Sequence, residues 1–276
     1  MQIHDLHCHS TASDGTLSPT KLVQYAATKG IKILALTDHD TTAGIEEARI
    51  EAKKQNIQLI NGAEISIVWQ KTTVHIVALG FDSQNKMLLN GLDKIRTFRQ
   101  QRAQRMSDKL AKEGIKGAYN AVLEMSKGGL ITRPHFARFL IKGGYAKDMN
   151  HAFKNFITLG KPGYVQGEWA TLEEVLEWIK DAKGQAIIAH PARYKMTRTK
   201  LIKLINDFKQ QGGVGMEVVS GSHSKDDVFN MAALANKYQL LASVGSDFHG
   251  PEHQYIDMGR CVDFPPECKA IWSNWH

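Results

Sequence analysis

The chain has 276 residues, 42% hydrophobic and 23% charged, with a formal charge of +7 that attracts anionic partners without naming one. No apolar run is long enough to cross a bilayer, and the opening MQIHDLHC lacks the basic and apolar segments of a secretory signal, so neither membrane insertion nor export is expected. Cys8, Cys261 and Cys268 are odd in number and without metal-knuckle spacing, which fits unpaired thiols in a reducing cytoplasm better than a disulfide scaffold.

Asp5-Leu6-His7-Cys8-His9 alternates polar with apolar as a strand does, so His7 and His9 share a face and their imidazoles converge. Asp14, in the loop beyond, is free to turn back over the strand end. Ser18 caps and Pro19 opens a helix over residues 21–29, which Gly30 ends. Residues 32–37 predict a buried strand that delivers Asp38, His39 and Asp40 at its C-terminal end. A helix over 44–54 leads to the strand 58–66, which carries Glu64. Residues 66–69 and 73–79 flank a short polar turn and predict a strand pair, with His75 in its second member.

Strand–helix alternation then stops. Residues 88–156 are mostly helical in pattern, and glycines at 114, 117, 128, 129, 143 and 144 cut them into short helices, so the stretch reads as an insertion. Alternation resumes with a helix starting at Thr171, before Glu173 and Glu174, and ending near Gly184. A buried strand over 185–189 delivers His190 and Pro191. A helix at 200–209, a strand at 215–219, a helix at 226–237 and a strand at 240–244 follow, and the last ends at Gly245-Ser246-Asp247-Phe248-His249.

This is an α/β pattern with ligating side chains at strand C-terminal ends, where chemistry gathers in barrels. An open parallel sheet is the rival, but a closed or nearly closed barrel better accounts for so many strand ends meeting at one cluster. His7, His9, Asp14, His39, Glu64, His190, Asp247 and His249, with His75 as a ninth, are too many for one four-ligand site. They suffice for two or three metals if one carboxylate bridges. Imidazole and carboxylate without thiolate suit Mn, Zn or Fe. His4, His151, His253 and His276 have neither spacing nor position to recommend them.

These residues resemble the motifs of the polymerase and histidinol phosphatase (PHP) superfamily of metal-dependent phosphoesterases. The opening HxH and Asp stand as His7, His9 and Asp14, the TDH motif as Thr37-Asp38-His39, and the bridging Glu as Glu64, with His75, His190, Asp247 and His249 completing the set. The resemblance implies a distorted TIM-like barrel of seven strands, in a discontinuous domain of residues 1–87 and 166–276 around a helical, basic insertion at 88–165. It implies three divalent ions, Mn first and Zn or Fe as alternatives. One ion takes His7, His9, Glu64 and Asp247; a second shares Glu64 and adds His75 and His190; the third takes Asp14, His39 and His249. His7, His9, Glu64, His190 and Asp247 then act through metal-activated water, and two ions about 3.5–4 Å apart suit in-line displacement at phosphorus without a side-chain nucleophile. Asp5, on the face of His7 and His9, is a candidate for orienting a ligand, and Asp38 and Asp40 are further candidates.

Within the superfamily the chain is most similar to the TrpH-like branch of 5′-to-3′ exoribonucleases and nucleoside 3′,5′-bisphosphate phosphatases. Thr132-Arg133, His135 to Phe139, Lys161, Gly163-Tyr164-Val165 and Ala189-His190-Pro191 with Arg193-Tyr194 carry that likeness; Pro134, in place of the exonuclease's glycine, departs from it. The branch implies RNA with a 5′ phosphate and small bisphosphonucleotides as partners, and processing of ribosomal RNA ends. Arg133, His135 and Arg193 are the candidate phosphate donors. Residues 95–165 hold fourteen Lys or Arg against four Asp or Glu, a formal +10, so the remainder of the chain is −3. Arg96, Arg99, Arg102 and Arg105 predict a basic stripe on one helix, suited to a polyanion. The alternatives are a phosphatase confined to small phosphate monoesters, an amidohydrolase with Asp247 as base, and a non-catalytic metal-stabilised nucleic-acid-binding domain.

Overall fold

Runs of isoleucine, valine and alanine become strands here because each is buried between a layer of helices and a central core. In a computed structural model, which describes residues 3–252 and 255–275, β1 (Ile3–Cys8), β2 (Ile31–Leu36) and the start of β3 (Gln58–Trp69) pair in parallel. His253 and His276 lie outside the described residues. The two strands expected at 58–66 and 66–69 are one strand of twelve residues. It turns through Gln70 and Lys71, both at positive φ, into antiparallel β4 (Thr72–Leu79), the geometry of a tight hairpin. Short β5 (Ala170–Thr171) pairs beside β3, while β4 continues antiparallel to β6 (Gln185–Ile188), followed in parallel by β7 (Gly215–Ser220) and β8 (Leu241–Gly245).

The chain leaving β8 then returns to β1. His9 N donates to Phe248 O at 2.9 Å and Asp247 N to His7 O at 2.8 Å, so the sheet closes on itself as a distorted seven-strand barrel and not as an open sheet. Closure brings residues from both ends of the sequence to one rim.

Helices α1 (Pro19–Thr28) and α2 (Ile45–Gln55) cover the first strands, and Ser18 Oγ accepts from Lys21 N as the cap. The insertion opens with α3 (Lys86–Lys112), a helix that ends just before Gly114, the first of the glycines expected to divide this stretch. Within it Gly91 is required by packing: a Cβ there would stand 2.5 Å from the Trp178 ring. After α3 come α4 (Ala118–Met125), α5 (Arg133–Lys142), α6 (Met149–Ala152) and a π-helical turn, Phe153–Ile157. Leu88, Leu92 and Ile95 of α3 join the barrel's main apolar cluster, whereas Met106 and Leu110 join a separate one with Phe136, Leu140 and Ile157. The helix is thus shared, its first half packed on the barrel and its second half on the insertion. Outer helices α7 (Leu172–Asp181), α8 (Arg198–Gln210) and α9 (Lys225–Lys237) complete the layer, with Thr171 and Glu174 capping α7 reciprocally. Among the described residues no helix is long and apolar enough to cross a membrane.

The arginines of α3 do not form the expected stripe. A spacing of three falls about 60° short of a full turn at each step, so four such residues spiral across half the helix. Arg96 pairs outward with Asp93 and Arg105 is exposed, while Arg99 and Arg102 are buried against the barrel rim.

Candidate metal centre

Most of the metal-binding candidates sit at a strand end or just past it, while Glu64 and His75 lie within the strands of the hairpin and Asp14 in the loop after β1. His7 and His9 end β1, Glu64 and His75 lie on the hairpin, and His39, His190, Asp247 and His249 follow β2, β6 and β8. His190 and Asp247 have φ of 29° and 56°, conformations that side chains rarely adopt. The closing backbone bond from Asp247 N to His7 O and a bond from His190 N to Glu217 Oε2 at 2.6 Å hold these turns in place.

Four donors converge most tightly. His7 Nε2 lies 3.1 Å from His9 Nε2, both lie 3.3 Å from Glu64 Oε2, and they lie 3.6 and 3.3 Å respectively from Asp247 Oδ1. A tetrahedron of donors at about 2.0–2.1 Å from a central ion has edges of about 3.4 Å, so these separations fit one divalent cation. The resemblance gave the same quartet. A second group is His9, Asp14, His39 and His249, with His249 Nε2 3.3 Å from Asp14 Oδ1; His9 joins the trio expected there. A third is His39, Glu64 and His75. Glu64 Oε1 meets both His75 Nδ1 at 2.8 Å and His190 Nε2 at 2.9 Å, and Glu64 Oε2 meets His39 Nδ1 at 2.9 Å. His39 therefore stands beside Glu64 where only His75 and His190 were expected, and Glu64 is common to two groups.

The electrostatics suit cations. Buried Glu64, Asp14 and Asp247 are held well below the usual carboxylate range: their burial opposes ionisation, but His39, His75 and His7 around Glu64, His39 and His249 around Asp14, and Arg193 beside Asp247 outweigh it. Burial and the neighbouring His249 hold His9 down to about 3, leaving its ring neutral with a lone pair to offer. His9 Nδ1 is buried without a hydrogen-bond partner among the described residues, as are His39 Nδ1 and Glu64 Oε2, whose 2.9 Å approach lacks hydrogen-bond geometry, and Cys8 turns its Sγ away to Ala35 O at 3.2 Å. Orphaned N and O atoms with no sulfur fit Mn, Zn or Fe.

The supporting carboxylates divide their work. Asp38 accepts from Ser10 N at 2.8 Å, Ser10 Oγ at 2.6 Å and Ser13 Oγ at 2.6 Å, bracing the loop that carries Asp14. Asp5 accepts from Ser246 N at 2.9 Å and fastens the turn before Asp247; burial raises it to about 6. Asp40 accepts from Ser66 N at 2.6 Å and Arg99 Nε at 2.6 Å. Glu217, which no motif singled out, accepts from His7 Nδ1 at 2.6 Å besides the His190 amide. Its one sequence signal was a lone acid in the apolar run Gly215-Met216-Glu217-Val218-Val219.

Above the cluster lies a cavity of about 320 Å³, walled by the barrel rim on one side and the insertion on the other. Arg133 and Arg193 line it, joined by Arg99 and Arg102, which sequence reading placed only in a stripe. Arg193 is ion-paired to Asp247, and Arg133 lies 6.0 Å above the Phe153 ring. Tyr164 and Trp169 add aromatic wall, and Trp169 lies 4.8 Å from the Arg99 guanidinium. His135 is elsewhere: 2% exposed, its Nδ1 accepts from Thr132 N at 3.1 Å to cap α5, and burial holds it near 4 and neutral. Pro134 occupies the first turn of that helix, where proline is well tolerated.

A near-closed α/β barrel with clustered imidazoles and carboxylates at the strand ends, faced by guanidinium groups, defines a metal-dependent hydrolase for anionic esters. The PHP domain family matches residues 5–189, and the chain belongs to that family and is a metal-dependent phosphoesterase. It is 46% identical over 271 residues to a 3′,5′-nucleoside bisphosphate phosphatase of Chromobacterium violaceum, covering 98% of this chain and 95% of that one. It is 44% identical to a 5′-3′ exoribonuclease of Haemophilus influenzae, covering 99% and 98%. A solved structure from Chromobacterium violaceum, described as an amidohydrolase with bound sulfate and no metal, superposes with a TM-score of 0.94 at 46% identity, covering 98% and 94%.

Proposed function

We propose that this phosphoesterase is a 5′-to-3′ exoribonuclease that releases nucleoside 5′-monophosphates from RNA 5′ ends and also converts nucleoside 3′,5′-bisphosphates to the 5′-monophosphate and phosphate. The observation that carries the reading is the cavity, where four arginines and four aromatic rings face the donor cluster across a space the size of about one nucleotide. The two activities share one bond change. In both, water displaces the 3′ oxygen of a nucleotide from phosphorus. The two relatives described above are named for these two activities, one each.

The reading takes three divalent ions, Mn first. His7, His9, Glu64 and Asp247 would hold one, Glu64 with His75 and His190 a second, and Asp14, His39 and His249 the third, since each neutral imidazole has one lone pair to give. Bound there, the ions supply a water acidic enough to attack at neutral pH and positive charge beside the phosphoryl oxygens. Arg193, half-exposed at the rim and tied to Asp247, is placed to meet a phosphoryl oxygen. Arg102 and Arg133 hold the second phosphate of the terminal nucleotide, with Phe153, Tyr164 or Trp169 against its base. His135 contributes by fixing the α5 turn that presents Arg133. Three free thiols, Cys8, Cys261 and Cys268, support residence in a reducing cytoplasm.

The test uses purified protein with added Mn, incubated with a short 5′-phosphorylated RNA and separately with adenosine 3′,5′-bisphosphate. Progressive release of nucleoside 5′-monophosphates, lost on chelation and in His7→Ala or Asp247→Ala, is expected. Hydrolysis of the bisphosphate with RNA left intact would confine the enzyme to small nucleotides, and metal binding without turnover would mark a non-catalytic domain.

A further inference from the structure

The catalytic cavity holds about one nucleotide, so any longer substrate must cross its rim. Two further grooves among the described residues are lined in part by α3. One is bounded by Arg96 and Lys127 but also by Glu47 and Asp93, a balanced set, and it shares no wall residue with the cavity. The other, of about 500 Å³, is lined by Arg105, Lys109 and Lys112 against the single acid Asp108, and its wall includes Tyr164, which also lines the cavity.

Resting on the exoribonuclease reading, we infer that RNA beyond the terminal nucleotide runs past Tyr164 and along the cationic face of α3 formed by Arg105, Lys109 and Lys112. Helical geometry supports a continuous track. Residues 102, 105, 109 and 112 are spaced by three, four and three, which keeps them within about 80° of one another around the helix. Arg102 is at the cavity, and the other three are exposed. From Arg102 to Lys112 the helix rises about 15 Å, room for a few nucleotides of an extended strand.

The rim is also fastened to the track. Lys109 Nζ donates to Tyr164 O at 2.9 Å and Arg102 Nε to Val165 O at 2.9 Å, so the segment dividing cavity from groove is strapped to the same helix. Asp108 accepts from Gln104 at 2.8 Å, and Arg105, Lys109 and Lys112 outnumber it three to one along the groove. A single strand recognised this way is read by charge, without base identity.

The probe is a 5′-phosphorylated decaribonucleotide, fluorescent at its 3′ end, whose first linkage carries carbon in place of the bridging 3′ oxygen and is uncleavable. Its anisotropy is followed on Mn-loaded enzyme across a salt series. Arg105→Glu and Lys112→Glu are combined in one variant, which leaves the bond from Lys109 to Tyr164 intact. Lys203→Glu and Lys225→Glu on α8 and α9 make a control of equal charge change. The groove variant is expected to bind at least about fivefold more weakly and to lose about 1.4 from the slope of log affinity against log salt, two contacts at about 0.7 each. Its hydrolysis of adenosine 3′,5′-bisphosphate stays within about twofold of wild type, which also reports correct folding. Unchanged affinity and slope overturn the track, as does an equal loss in the control, which would mark long-range attraction. Wild-type enzyme that binds this probe through the groove yet leaves the cleavable decamer intact overturns the exoribonuclease reading and leaves the track standing.

Discussion

Glu217→Gln separates metal positioning from chemistry. The carboxylate uses one oxygen on His7 Nδ1 and the other on the backbone N–H of His190, each at 2.6 Å and each a donor. A glutamine of the same shape offers one acceptor and one NH₂, so one of the two N–H groups must face another donor. If the His7 bond is lost, the imidazole loses the partner that sets its tautomer and its basicity toward metal, an effect worth about 10–100-fold in metal affinity, or about 1.4–2.7 kcal/mol. If the His190 amide is orphaned instead, the buried N–H costs about 1–3 kcal/mol and frees a turn already strained at φ 29°. Phosphate release from adenosine 3′,5′-bisphosphate is measured against Mn concentration, with bound metal counted by elemental analysis. The Mn needed for half-maximal activity is expected to rise about 10–100-fold, while kcat at saturating Mn stays within about threefold. An unchanged Mn requirement with a lowered kcat would refute the argument, because Glu217 would then touch the reaction and not the ligands.

Gly91→Ala tests the seat of the insertion's long helix. Alanine favours a helix by about 1 kcal/mol, but its Cβ would meet the buried Trp178 ring at 2.5 Å, and overpacking costs about 1–3 kcal/mol. A fall in Tm of a few degrees is expected by calorimetry, and a rise would show that Trp178 yields freely. Glu51 tests the acid limb of stability: hydrogen bonds from Gln55, Gln24 and Lys54 hold its carboxyl down to about 2. A depressed carboxylate contributes fully above its unfolded pKa, and that contribution fades as pH falls from about 4.5 toward 2. Glu51→Gln should be less stable at neutral pH, with the gap closing across that window in acid unfolding followed by circular dichroism; parallel curves would contradict this.

The sequence by itself determined the repeating strand and helix order and the nine clustered donors. Both depend on local rules: period-two alternation put His7 and His9 on one face, and buried strands ending in polar residues marked where Asp38-His39-Asp40, His190 and Asp247 would emerge. Helix limits were also legible where a cap is local, as at Ser18 and Thr171. Three features depended on tertiary structure alone. Closure through Asp247 N and His7 O joins residues 240 positions apart, and Glu217 finds its imidazole 210 positions away, distances over which a residue's neighbours cannot be read from its own pattern. The assignment of arginines to cavity or solvent depended on which side of α3 meets the barrel. A charge run has the same composition either way, and packing on Trp178 turned Arg99 and Arg102 toward the donor cluster and left Arg105, Lys109 and Lys112 outside.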